Sequence, residues 1–89
     1  MRRIQVDPAK DAINVDKHGI SLHRFADMDV DDALVFQAKT VRGEARWLFL
    51  GTIVGRVYAA VVTYRDDETR VISLRLASRD ERKLYDEAE

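Results

Sequence analysis

The sequence predicts an α+β domain with two N-terminal helices, an antiparallel sheet of three to four strands and a short C-terminal helix. Two observations carry this. Up to about residue 26, apolar positions fall between helix start and stop signals, and from Arg46 their period changes to two with hairpin-length connections. The 89 residues show no repeat, linker or low-complexity run, so they read as a single domain, 1–89.

Ile4 and Val6 alternate with polar neighbours as a short strand does. Asp7-Pro8 then supplies an N-cap followed by proline at the first helical position. Ala9, Ala12, Ile13 and Val15 give this helix an apolar stripe, Lys17 and His18 match its C-terminal dipole, and Gly19 suits a left-handed ending. Ser21 caps a brief second helix in which Ile20 and Phe25 stand at staple positions and Leu22 and Ala26 turn inward. The acidic stretch Asp27 to Asp32 has no clear period, and Ala33-Leu34-Val35-Phe36 reads as a short strand or a buried turn.

Three strands follow: Arg46 to Ile53, Val57 to Tyr64 and Thr69 to Ala77. Their links, Val54-Gly55-Arg56 and Asp66-Asp67-Glu68, are too short for a parallel crossover and predict a meander. On the last strand, alternation places Ile72, Leu74 and Leu76 in the core and Val71, Ser73, Arg75 and Ala77 on the other face. Ser78 and Glu81 form a capping box that starts a terminal helix, whose Leu84, Tyr85 and Ala88 are expected to pack on the sheet.

Composition narrows the chemistry. There is no cysteine, and two histidines without closely spaced carboxylates make a poor zinc site, so neither a metal nor a cofactor is expected. The N-terminus leads into Asp7-Pro8 instead of an apolar core and no apolar run reaches membrane-spanning length, which predicts no membrane association and a cytoplasmic location. A net charge of -1 excludes binding to nucleic acid by overall charge alone. The distribution is uneven, with ten bases between Lys39 and Lys83 (Lys39, Arg42, Arg46, Arg56, Arg65, Arg70, Arg75, Arg79, Arg82, Lys83) against six acids (Glu44, Asp66, Asp67, Glu68, Asp80, Glu81). That half is the candidate nucleic-acid face, although a strand-rich segment with arginine on its solvated side fits the same count.

Arg75 stands among short side chains, with room beside it for a phosphate; a solvated arginine paired to a carboxylate is the plainer reading. Arg79 lies in the first turn of the capped helix, where exposed N–H groups also favour an anion. Glu44 and Arg46 point to one side, two residues apart, as a proton acceptor beside a phosphate clamp or as an ordinary cross-strand ion pair. Lys17-His18 at a helix end offers an imidazole for proton transfer, or simply charge matched to the dipole; His23 looks ordinary. The acids around Asp29 and the apolar Leu34, Val35 and Phe36 either meet a basic or hydrophobic partner or lie on the core.

Taken together, Asp7-Pro8-Ala9-Lys10, Asn14, Lys17-His18-Gly19-Ile20-Ser21, Gly43-Glu44-Ala45-Arg46, Gly51, Gly55, Thr63 and Arg70-Val71-Ile72-Ser73-Leu74-Arg75-Leu76-Ala77 with Glu81-Arg82 and Tyr85 resemble the BrnT family of bacterial toxins. The resemblance spans Val6 to about Glu87. It implies a RelE-like ribonuclease fold and RNA cleavage that halts translation. It also implies a BrnA-like ribbon-helix-helix antitoxin in a 2:2 complex, with DNA bound only through that antitoxin. Leu22, Asp27-Met28-Asp29-Val30 and Lys39-Thr40-Val41-Arg42 depart from the family pattern, and the last predicts weakened activity if a catalytic group of the family lies there.

Cleavage without a metal uses the RNA 2′-hydroxyl as nucleophile, and needs a base, cations around phosphorus and an acid at the leaving 5′-oxygen. The candidates are Glu44 or His18 as base, Arg46 and Arg75 as phosphate clamps, and Lys17 or Arg79 near the leaving group. The alternative is a module that binds antitoxin and nucleic acid without cutting, acting as a co-repressor.

Overall fold

The computed structural model describes residues 3–88; Met1 and Arg2, read above with the N-terminal segment, and Glu89 lie outside the described residues. Along the chain come β1 (Arg3–Gln5), α1 (Pro8–His18), a 3₁₀ helix (Leu22–Asp27), β2 (Leu34–Gln37), β3 (Trp47–Ile53), β4 (Arg56–Arg65), β5 (Glu68–Leu76) and α2 (Arg79–Ala88). The α+β class holds, but the sheet has five strands, in the order β1-β5-β4-β3-β2, instead of three or four. Both short apolar segments join it. β2 pairs antiparallel with β3, whereas β1 pairs parallel with β5 through Arg3↔Glu68, Ile4↔Thr69 and Gln5↔Arg70. The intervening chain is long enough for the parallel return that a hairpin forbids.

Helix boundaries follow the caps. Asp7 accepts from the Ala9 N–H, Pro8 opens α1, and Gly19 ends it in the left-handed region at φ 72°. The second helix is a 3₁₀ turn, too short to settle into α geometry. Its Ser21 cap accepts from the His23 N–H and donates to Asp11, and Asp11 also accepts from the Leu22 N–H at 2.7 Å. One carboxylate therefore fixes the corner between the two helices.

The apolar stripe of α1 is not a buried face. Ala9 and Ala12 are exposed, as are Ile13 (65%) and Val15 (45%); the buried residue of this helix is Asn14. The reason is where α1 sits. β1 covers the edge of β5 only along residues 68–70, which leaves the outward N–H and C=O of Leu74 without a strand partner. Asn14 supplies both partners: Nδ2 donates to the Leu74 carbonyl at 2.8 Å and Oδ1 accepts from its N–H at 3.2 Å. Nδ2 also donates to the Ile20 carbonyl. The helix is moored to a sheet edge by an amide that substitutes for backbone.

The core lies on two faces of the sheet. On one, Leu22, Phe25 and Met28 pack against Phe49, Ile53, Ala60, Val62, Val71 and Leu74, with Phe25 and Phe49 edge to face at 5.6 Å. Gly51 permits the approach, since a Cβ there would stand 2.9 Å from the side chain of Met28. On the other face α2 lays Tyr85 over Leu50 and Ala59, flanked by Leu34, Leu48 and Val57. Ala26, Leu84 and Ala88, expected inside, are exposed.

β5 corrects the predicted alternation. Its register against β4 shifts between Val61↔Ser73 and Val62↔Val71, so Ile72 is one extra residue, a β-bulge. Val71 and Leu74 consequently share the core face, Ile72 leaves it, and Leu76 is 45% exposed. Beyond the bulge, Ser73 and Arg75 still face away from Leu74.

Candidate functional site

α2 covers only part of its sheet face. Strand alternation and register assign the remainder to Glu44 and Arg46 ahead of β3, Val61, Thr63 and Arg65 on β4, and Arg70, Ser73 and Arg75 on β5. Val61, Arg70 and Ser73 are only partly buried, so this half of the face stays open.

A tight hairpin holds Glu44 and Arg46 in place. Val41 and Glu44 exchange both backbone hydrogen bonds, at 3.0 and 2.9 Å, around Arg42 and Gly43, which have φ 51° and 78°. Positive φ at both central residues is the turn whose twist suits paired strands; Gly43 adopts it freely, Arg42 against its Cβ. The buried Thr63 Oγ1 donates to the Ala45 carbonyl at 2.8 Å, fastening the residue between Glu44 and Arg46 to β4.

Glu44 does not pair with Arg46. Its partner is Arg65, whose Nη2 donates to Oε2 at 2.8 Å. This bond, with smaller contributions from the charges of Arg65, Arg70 and Arg46, holds the Glu44 carboxyl below the usual range. Arg42, Arg46 and Arg65 line one shallow cleft with Glu44. Arg46 Nε is buried and has no hydrogen-bond partner among the described residues.

Arg75, across from Ala59, sits where α2 meets the open region. Its Nη1 and Nη2 donate to the two Glu81 oxygens at 2.7 and 3.0 Å. Glu81 also closes the expected capping box, accepting from the Ser78 N–H while its own N–H donates to Ser78 Oγ. The Arg75 bond is the main cause that lowers the Glu81 carboxyl to about 2.

The remaining candidates lie apart. Lys17 and His18 line a separate recess with Lys10, Ile13, Asn14, Ile72 and Ser73, at the edge of β5. Ser73 belongs also to the open face, and is the link between the two places. Arg79 runs along α2 with Asp80, Arg82, Lys83, Asp86 and Glu87. Glu44 and Arg46, joined by sequence reasoning, line one cleft, whereas Arg65 and Arg70 were counted in the basic half without being singled out. The signal was the parity of β4 and β5, usable only once the register was known. The apolar Val35 and Phe36 are 47% and 41% exposed on the edge strand β2. No helix among the described residues is long and apolar enough to cross a membrane.

No curated protein sequence matches the chain. The family model described as the ribonuclease toxin BrnT of type II toxin-antitoxin systems matches residues 7–81, which takes in the α1 cap, the hairpin, and β5 as far as the Glu81 partner of Arg75. The crystal structure of the Brucella abortus ribonuclease toxin BrnT is similar with a TM-score of 0.73 at 28% identity, covering 89% of this chain and 100% of that one. Type II systems pair a toxin with an antitoxin, so membership carries a protein partner. The chain belongs to the BrnT family of ribonuclease toxins.

Proposed function

We propose that the chain cuts RNA on the open half of its α2-facing sheet surface, in the RelE-like manner the resemblance implies, by attack of the 2′-hydroxyl on the adjacent phosphate. The observation that carries this reading is the convergence of Arg46, Arg65 and Arg70 on Glu44 over an open sheet face. Arginine keeps its charge throughout, so the cluster fits charge stabilisation at phosphorus, the role a metal would otherwise fill. Glu44 is the base within reach of these cations, and Arg46, which lines the same cleft, is the clamp.

Arg75 acts at the other end of the same face, holding α2 through Glu81 while adding its charge to the surface. Lys17 and His18 approach over Ser73 and serve the leaving-group side, His18 being the second candidate for the base. Arg79 is the least supported of the group, since it lies along α2 among charges of both signs, apart from the Glu44 cleft. The partner is a BrnA-like ribbon-helix-helix antitoxin in a 2:2 complex that alone contacts DNA, and the setting is the cytoplasm, where messenger RNA is translated.

The test is incubation of the purified chain with cellular RNA in excess chelator. Cleavage leaving 2′,3′-cyclic phosphate ends, and abolished by the antitoxin, is expected. Arg46→Ala should lower the rate by roughly 10²-fold, the scale of losing one charge-stabilising donor, with an unchanged circular dichroism spectrum. Intact RNA at high protein excess would instead assign the chain to the non-cutting, co-repressor role.

A further inference from the structure

Two carboxylates on the basic face accept hydrogen bonds from its arginines, and they are held differently. Glu81 takes both terminal nitrogens of Arg75 and the Ser78 N–H, so moving it would undo the start of α2 as well as an ion pair. Glu44 takes one bond, from Arg65, between side chains that are 32% and 54% exposed. A solvated pair of this kind contributes little and is easily exchanged for another anion. The surroundings of Glu44 also favour exchange. Arg42, Arg46 and Arg65 line its cleft, and Arg70, opposite Thr63 in the register, adds its charge to the same carboxylate. Asp66 and Glu68 also act on Arg65.

We propose that Glu44 is an internal stand-in for a substrate phosphate, which displaces it from Arg65 on entering the arginine cleft. The inference rests on the reading that RNA binds this face, and it adds how the site is kept when empty. A phosphate brings more acceptor oxygens than one carboxylate and matches the planar fork of arginine. Displacement has a chemical consequence. The Arg65 bond is the chief reason that Glu44 is a weak base, so its loss on binding restores basicity to the carboxylate when the 2′-hydroxyl is at hand.

The probe is a 2′-O-methyl oligoribonucleotide, which carries the phosphates and cannot be cut through a 2′-hydroxyl. Fluorescence anisotropy would measure its binding to the wild type, Glu44→Gln, Arg65→Gln and the double variant. Glu44→Gln should bind the probe about threefold to tenfold more tightly, because an internal competitor for the cations has been neutralised. Arg65→Gln should bind more weakly, and the gain from Glu44→Gln should shrink in its background. Carbon-13 NMR titration of the wild-type glutamate carboxyls gives a measurement that needs no variant, with the Glu44 titration expected to move upward when probe is added. Unchanged or weaker binding by Glu44→Gln, or a Glu44 titration indifferent to the probe, would overturn the proposal. Because the probe is not cleaved, a chain that cuts no RNA can still pass this test, and one that cuts RNA can fail it.

Discussion

Asn14 shows how one side chain can decide the place of a whole helix. Its amide has both a donor and an acceptor, the combination a strand edge offers, and it uses both on Leu74 while giving its second N–H to Ile20. No hydrophobic side chain of similar size can do this, and α1 otherwise presents exposed apolar residues to solvent. Asn14→Asp keeps the shape but replaces the donor with a carboxylate facing two carbonyls. It should destabilise the fold by about 2–4 kcal/mol, the scale of leaving two or more buried polar groups unsatisfied, read as a lower urea midpoint with an unchanged slope. A shift below about 0.5 kcal/mol would mean that water or a neighbour substitutes for the amide.

At the scale of elements, the junction of β5 and α2 combines a capping box with a bidentate ion pair in a single carboxylate. Glu81 titrates near 2 in the native chain, against an ordinary value of 4.5, so between these values the unfolded chain holds more protons. Its contribution is therefore complete above about pH 4.5 and is lost as pH falls toward 2. Glu81→Gln should cost about 1–2 kcal/mol at neutral pH, as a lost cap and charge-assisted bond together do, and should flatten the acid limb of stability against pH. An acid limb as steep as the wild type's would exclude this pair as its source. The capping box itself was legible in the sequence, because Ser78 and Glu81 are three residues apart and their geometry is local. The same holds for the Asp7-Pro8 start and the Gly19 end of α1. The bulge at Ile72 was not, since alternation read along one strand carries no record of where its neighbour's register slips. The short strand at Ile4 was legible, but its parallel pairing was not, since its partner lies more than sixty residues away.

On the whole molecule, a net charge of -1 hides a separation that the fold makes. Asp27 ends the 3₁₀ helix and Asp29, Asp31 and Asp32 follow it, while Arg46, Arg65, Arg70 and Arg75 share the opposite, α2-covered face of the sheet. The uneven counts along the chain foretold a basic half, but only pairing of β3 with β4 brings Arg65 beside the hairpin that holds Glu44, and pairing of β4 with β5 adds Arg70. If this face binds single-stranded RNA, its affinity must follow the release of counterions, with a slope of log affinity against log salt of roughly -0.7 for each phosphate neutralised. Replacing Arg46 or Arg70 by Gln should each make that slope shallower by roughly 0.7, at the same loss for every RNA sequence tried. Arg24→Gln provides the contrast: Arg24 belongs to the 3₁₀ helix, bonded to Asp27 at 2.8 Å, and its loss should leave the slope unchanged. Arg79→Gln, measured alongside, decides whether the outer side of α2 extends the path of the RNA. Equal slopes for Arg24→Gln and Arg46→Gln would mean that charge acts over the whole surface with no defined track, and the open sheet face would lose its claim to the substrate.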